Sequence, residues 1–159
     1  MTDLLILPPA LGVLGMVVAI IIYMIVKTYD PGSDALKKIA DAIHEGAMVF
    51  MKREYTQLAI FALVLVVAIY SSLGSSTAIA FLAGALSSAC AGWFGMYTAT
   101  QANVRTTNAA HTDGQASALS VAFFGGSIMG LAVASLGLIG LGSVYYFFGG
   151  DPETAHHIH

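Results

Sequence analysis

Residues Gly92 to His111 read GWFGMYTATQANVRTTNAAH. The stretch opens as membrane-grade apolar sequence and ends in amides, threonines and an arginine, with no proline to stop a helix. Its reading depends on the rest of the chain, where 57% of 159 residues are hydrophobic and only 9% are charged. Soluble domains carry roughly 25% charged residues, so the composition is that of an integral membrane protein. The charge-free runs are Leu4 to Val26, Tyr55 to Leu73, Thr77 to Val104 and Ser117 to Phe148. Each approaches or exceeds the ~20 residues that cross ~30 Å of hydrocarbon. An all-α fold follows, with four transmembrane helices over approximately 4–27, 50–73, 77–105 and 116–148. The fourth run is longer than a bilayer needs at ~1.5 Å per residue, so it must tilt, bend at its glycines or protrude. The first run has no basic residue before it and no A-x-A-like cleavage site before Lys27, which favours a retained helix over a cleaved signal peptide.

Basic residues orient the bundle. Lys27, Lys37, Lys38, Lys52 and Arg53 fall between the first and second spans, and Arg105 between the third and fourth. Both loops lie on one side of a four-span bundle, and the excess of Lys and Arg marks that side as cytoplasmic. Both ends of the chain then lie on the non-cytoplasmic side, with Asp3, Asp151 and Glu153. A net charge of -3 is too small to imply a nucleic-acid partner, so the expected surroundings are the lipid bilayer and other helices. Cys90, the only cysteine, lies inside a span and supports no disulfide.

Pro8 and Pro9 suit the first turn of a helix, so helix one is expected to start there. The sequence TYDPGSD after Lys27 is a break, and Ser33 or Asp34 can cap the next helix. From approximately 34 to 50, Leu36, Ile39, Ala40, Ile43, Ala47 and Phe50 recur at helical spacing between charged residues. This amphipathic cytoplasmic helix either lies on the headgroups or continues into span two, as one rod or bent near Gly46. Gly74-Ser75-Ser76 makes a short outer turn. Small residues recur as Gly84, Ser88 and Gly92, as Ala91, Gly95 and Ala99, and as Gly126, Gly130 and Ala134, rows that permit close helix approach in lipid.

Ionisable groups inside a bilayer mark ion pathways, and the four runs hold none. The helices therefore read as scaffold, and no residue is assigned a catalytic, cofactor-binding or metal-binding role. His156, His157 and His159 fit a metal tract, a tag remnant or a polar outer loop and receive no role either. Trp93, Tyr97 and the Tyr145 to Phe148 cluster fit packing or interfacial anchoring. Arg53, Glu54 and Tyr55 at the head of span two, and Asn103, Arg105, Thr106 and Thr107 at the foot of span three, are the remaining candidates. The two arginines read as anchors that snorkel to headgroups, or the polar run extends helix three past the membrane to bond a neighbour.

Three segments, EGAMVFMKREYTQLAIF from Glu45, GWFGMYTATQANVRTTNAA from Gly92 and ALSVAFFGGSIMGL from Ala118, resemble in order and spacing the amino-terminal region of the membrane-integral pyrophosphatases. The resemblance implies the opening part of a larger ion pump that hydrolyses cytoplasmic pyrophosphate with Mg²⁺, and in some members K⁺, and moves H⁺ or Na⁺ outward. It also implies a homodimer, and a place for these four helices in an outer ring around inner helices of the same pump. The family's acidic motifs of the D-V-G-A-D-L-V-G-K type do not occur in this chain, so the chain itself is expected to bind no cofactor. The residues also admit a standalone four-helix membrane structural or assembly subunit. The reading frame beyond His159 separates the two: continuation into Gly-rich and DVGAD-like sequence supports the pump, a stop codon the subunit.

Overall fold

The computed structural model describes residues 2–148, which form four helices: α1 (Thr2–Thr28), α2 (Asp34–Leu73), α3 (Ser75–Thr112) and α4 (Gln115–Phe148). All four are long and apolar enough to cross a membrane. The histidines at 156, 157 and 159, and Asp151 and Glu153, lie outside the described residues.

Helix α1 begins at Thr2, ahead of the expected start, and takes Pro8 and Pro9 into its body. Room for a ring comes from α4: a Cβ at Gly142 would stand 2.7 Å from Cδ of Pro9. The break after α1 is tight. Gly32 holds φ +88°, its N–H donates to Oδ1 of Asp30 at 2.9 Å, and Ser33 caps α2 by accepting from the Leu36 N–H at 3.4 Å. Left-handed backbone of this kind suits glycine and disfavours side chains.

The segment near 34–50 does not lie apart on a membrane surface. It is the first part of α2, a single helix of 40 residues and so ~60 Å long at ~1.5 Å rise. Nothing in its sequence breaks it, and Gly46 sits in open space within the continuous helix. The expected three-residue turn before α3 contracts to Gly74 alone, which has φ +89° and ψ 177°, a conformation that only glycine adopts readily. Helix α3 then runs unbroken through the polar stretch. The hydroxyls of Thr98, Thr100, Thr107 and Thr112 bond back to carbonyls three or four residues earlier in α3. They satisfy themselves within the helix, and the polar residues need no turn.

In space the helices follow the order α1, α4, α3, α2, with α4 packed against both α1 and α3, and α2 against α3. Helix α1 is thus separated from α2 although the two are consecutive, because the Tyr29–Ser33 linker passes the foot of α3. There Asn108 Nδ2 donates to the Asp30 carbonyl at 3.1 Å. The core is small: Ala19, Val26, Ala102 and Ile128 form one cluster, and Ala109, Ala118 and Val121 another.

Close approach uses Gly92 and Gly95 from the expected rows on α3, and Gly12 and Gly125 outside them. A Cβ at Gly12 would come within 2.7 Å of the Ser135 carbonyl oxygen, and at Gly95 within 2.9 Å of Met129, while Gly125 faces the methyl of Ala102. Gly84, Gly126 and Gly130 meet nothing within 4 Å. Four-residue spacing specifies a smooth face but not which neighbour covers it, and on α4 the expected row is the uncovered one. An apolar groove of about 770 Å³ runs between α2 and α4 over α3, with Phe81, Gly84, Met129 and Val133 among its walls.

Candidate functional site

Chemistry-bearing side chains gather at the end of the bundle that carries the basic residues. Helix α2 supplies His44, on the half-buried stripe that also holds Met51 and Tyr55. Its Nδ1 lies 2.7 Å from Thr100 Oγ1. That hydroxyl also lies 2.9 Å from the Tyr97 carbonyl; with its proton on that carbonyl, Thr100 accepts from the Nδ1–H tautomer of His44. The His44 ring also stands edge-on to Tyr97 at 5.2 Å, Trp93 stacks on Tyr97 at 5.4 Å, and Tyr23 of α1 is 6.5 Å away. Lys27 Nζ sits 5.7 Å above the Tyr23 ring, within reach of a cation–π attraction. The cluster joins α1, α2 and α3.

Arg105 lies one turn beyond it. It does not snorkel: the residue is only 7% exposed, and Nη1 turns back along α3 to the Gln101 carbonyl at 2.7 Å and to Gln101 Oε1 at 3.4 Å. Arg105 Nε is buried and unpartnered. A cleft of about 260 Å³ is lined by Tyr29, Asp30, Arg105, Asn108, Thr112 and Asp113.

The other sequence candidates are less engaged. Arg53 is exposed and Glu54 half-buried, while Tyr55 bonds across to α3 by donating its hydroxyl to the Ala89 carbonyl at 2.7 Å. Asn103 and Thr107 are exposed and Thr106 half-buried. No hydrogen bond or ion pair joins the Arg53 and Arg105 groups among the described residues, where the single salt bridge is Lys37 to Asp34 at 3.4 Å. His44, Thr100, Asn108 and Asp30 went unread in the sequence. The signal for His44 was its place on the Met51–Tyr55 stripe; Asn108 carried none, because its partner is a backbone carbonyl in a distant linker.

Magnesium ions require several oxygen ligands in near-ideal octahedral geometry. The cleft offers two carboxylates beside a guanidinium, and no group of three or more His, Cys, Asp or Glu among the described residues is placed to hold a metal. These residues do not fit a magnesium–pyrophosphate centre, and no phosphoryl-transfer step is derived from them.

The family described as inorganic H⁺ pyrophosphatase matches residues 13–159. A "K(+)-insensitive pyrophosphate-energized proton pump 2" of Moorella thermoacetica is 43% identical over 145 residues, covering 89% of this chain and 21% of the relative. A "K(+)-insensitive pyrophosphate-energized proton pump" of Methanosarcina mazei is 40% identical over 143 residues, again 89% and 21%. A "K(+)-stimulated pyrophosphate-energized sodium pump" of Thermotoga maritima is 44% identical over 121 residues, 74% of this chain and 16% of the relative. The chain thus spans about a fifth of the length of these relatives. With four membrane-length helices and a match over nearly all of its residues, the chain belongs to the inorganic H⁺ pyrophosphatase family of membrane proteins.

Proposed function

We propose that this chain is the amino-terminal scaffold of a pyrophosphate-energised pump that couples hydrolysis of magnesium pyrophosphate to outward movement of H⁺ or Na⁺. The observation that carries the reading is the family match over residues 13–159, in relatives about five times longer. The scaffold role is supported by the donor set, since acids gather nowhere in the described residues as a metal–pyrophosphate site needs. The excess of Lys and Arg in two loops supports a cytoplasmic position for the His44 and Arg105 end, with both ends of the chain outside. Helix α3 and the first part of α2 then rise above the membrane as part of the wall around the hydrolytic site, and the remaining helices, Mg²⁺, K⁺ in some members and a second copy of the pump complete it. The test has two parts. The genomic frame beyond His159 is read, and the full polypeptide is purified and assayed for magnesium-dependent pyrophosphate hydrolysis. A continuing frame and an active product support the reading; a stop codon shortly after His159 refutes it.

A further inference from the structure

Arg105 is the one side chain among the described residues that has a buried polar nitrogen without a partner. A buried charge is tolerated when it is paired and hydrogen-bonded, and here only Nη1 is engaged, by oxygens of Gln101 that carry no charge. The acids nearest in the cleft, Asp30 and Asp113, are exposed at its rim and form no ion pair with it. Nε therefore lacks a hydrogen-bond acceptor and the guanidinium lacks a paired counter-charge among the described residues. A carboxylate supplies the two together, in the side-on bidentate geometry to which a guanidinium is matched.

We propose that the cleft at Arg105 is the docking site for a carboxylate side chain carried by the rest of the same protein, outside residues 1–159. The chain spans 21% of its relatives' length, so the occupant has ample sequence to come from, and the cleft is large enough, at about 260 Å³, for the end of one acidic side chain and its backbone. Asp30 and Asp113 select the charge class. A phosphate, free or on a lipid, brings up to two negative charges and a bulky tetrahedron toward two rim carboxylates, whereas a single carboxylate brings one charge to the buried cation. Asn108, tied to the Asp30 carbonyl, fixes the far wall, so the docked group would lock the α1–α2 linker, α3 and the incoming segment into one unit.

The proposal rests on reading the chain as part of a longer pump, and its test keeps the two apart. In the full polypeptide, Asp113 is replaced by the photo-crosslinking residue p-benzoylphenylalanine; Asp113 is exposed and caps α3 through its backbone N–H alone, so the fold tolerates the change. Irradiation, digestion and mass spectrometry should yield one cross-linked peptide from outside residues 1–159 that contains an Asp or Glu. Neutralising that acid and making Arg105→Gln should each lower Tm by several degrees, and the double variant should lie no lower than the worse single. Cross-links to lipid alone, to residues within 1–159, or to no partner would overturn the docking site, as would additive Tm losses in the double variant. The cross-linking arm leaves Arg105 intact and is read even when Arg105→Gln fails to fold. Hydrolysis of pyrophosphate by the unirradiated protein reports separately on the proposed function.

Discussion

A methyl group added at Gly12 would stand 2.7 Å from the Ser135 carbonyl oxygen and 2.7 Å from Cγ1 of Ile139, whereas one added at Gly126 would meet nothing within 4 Å. The Ser135 oxygen is backbone inside a helix and cannot swing aside, so overpacking there costs about 1–3 kcal/mol. At Gly126 the change only improves helix propensity, by up to about 1 kcal/mol. In the isolated chain in detergent, Gly12→Ala should therefore lower the thermal midpoint by several degrees and Gly126→Ala should leave it unchanged or raise it; equal losses would show that Gly126 packs after all. Tyr55 offers a second contrast at the α2–α3 contact, with its hydroxyl 2.7 Å from the Ala89 carbonyl and directly over Gly92, where a Cβ would sit 2.5 Å from that oxygen. Tyr55→Phe should cost about 0.5–1.5 kcal/mol and Gly92→Ala more, because the alanine methyl displaces the whole ring. A denaturation series in which Gly92→Ala is the milder of the two would refute the geometry. At this scale the sequence was least legible. Glycine spacing announces smooth faces in lipid, and it found Gly92 and Gly95, but the choice of Gly12 and Gly125 over Gly126 and Gly130 depends on which helices touch, and no pattern within one helix records that.

Helices were legible because their cause is local: each charge-free run is long enough to span hydrocarbon, and the lack of a breaker after Met96 supported the reading in which helix three runs on past the membrane, as α3 does to Thr112. Their arrangement was not. Lipid-facing and partner-facing residues are equally apolar, so nothing in α1 announces that it packs on α4 while the linker crosses beside α3. Helix α2 shows the consequence. It rests mainly on α3, its most apolar window is wholly unburied, and across its charged first part a main polar tie is His44 to Thr100. Thr100→Val removes that acceptor, a loss of ~1 kcal/mol. It should speed amide hydrogen exchange across residues 36–48 about five-fold, since 1.4 kcal/mol is a factor of ten, while the exchange of α4 stays put. Unchanged exchange in α2 would mean that the segment is held by something other than His44. Orientation is tested at the same scale. In a Cys90→Ser background, cysteines placed at Lys38 and His111 should react only with reagent on the cytoplasmic side, and one at Ser75 only with reagent outside; the reverse pattern would invert the bundle and move the Arg105 cleft off the proposed catalytic side.

For the whole molecule, the decisive matter is the capacity of four helices without the rest. Pyrophosphate hydrolysis needs metal ions to neutralise phosphate oxygens and a positioned water, and the protein's part is to fix that geometry. The cleft at Arg105 holds two acids, both exposed, beside a guanidinium already turned toward Gln101. Two exposed carboxylates could hold at most a single hydrated Mg²⁺ there, against the repulsion of the neighbouring guanidinium, and no further acid is grouped with them among the described residues. Residues 1 to 159 purified alone should then neither hydrolyse pyrophosphate nor bind it tightly in the presence of Mg²⁺. Joined to the carboxyl-terminal part of a relative, the same residues should support hydrolysis. In that joined protein Arg105→Ala leaves the chemistry's own groups in place but strips the wall of its buried cation and empties the Gln101 contacts. Its thermal midpoint, or the number of ions moved per pyrophosphate, should fall further than the rate of hydrolysis measured well below that midpoint. Hydrolysis by the isolated four-helix chain above a mock preparation, or a loss of the chemical step in Arg105→Ala at full stability, would place the reacting phosphate against α3 and turn the scaffold into part of the active site.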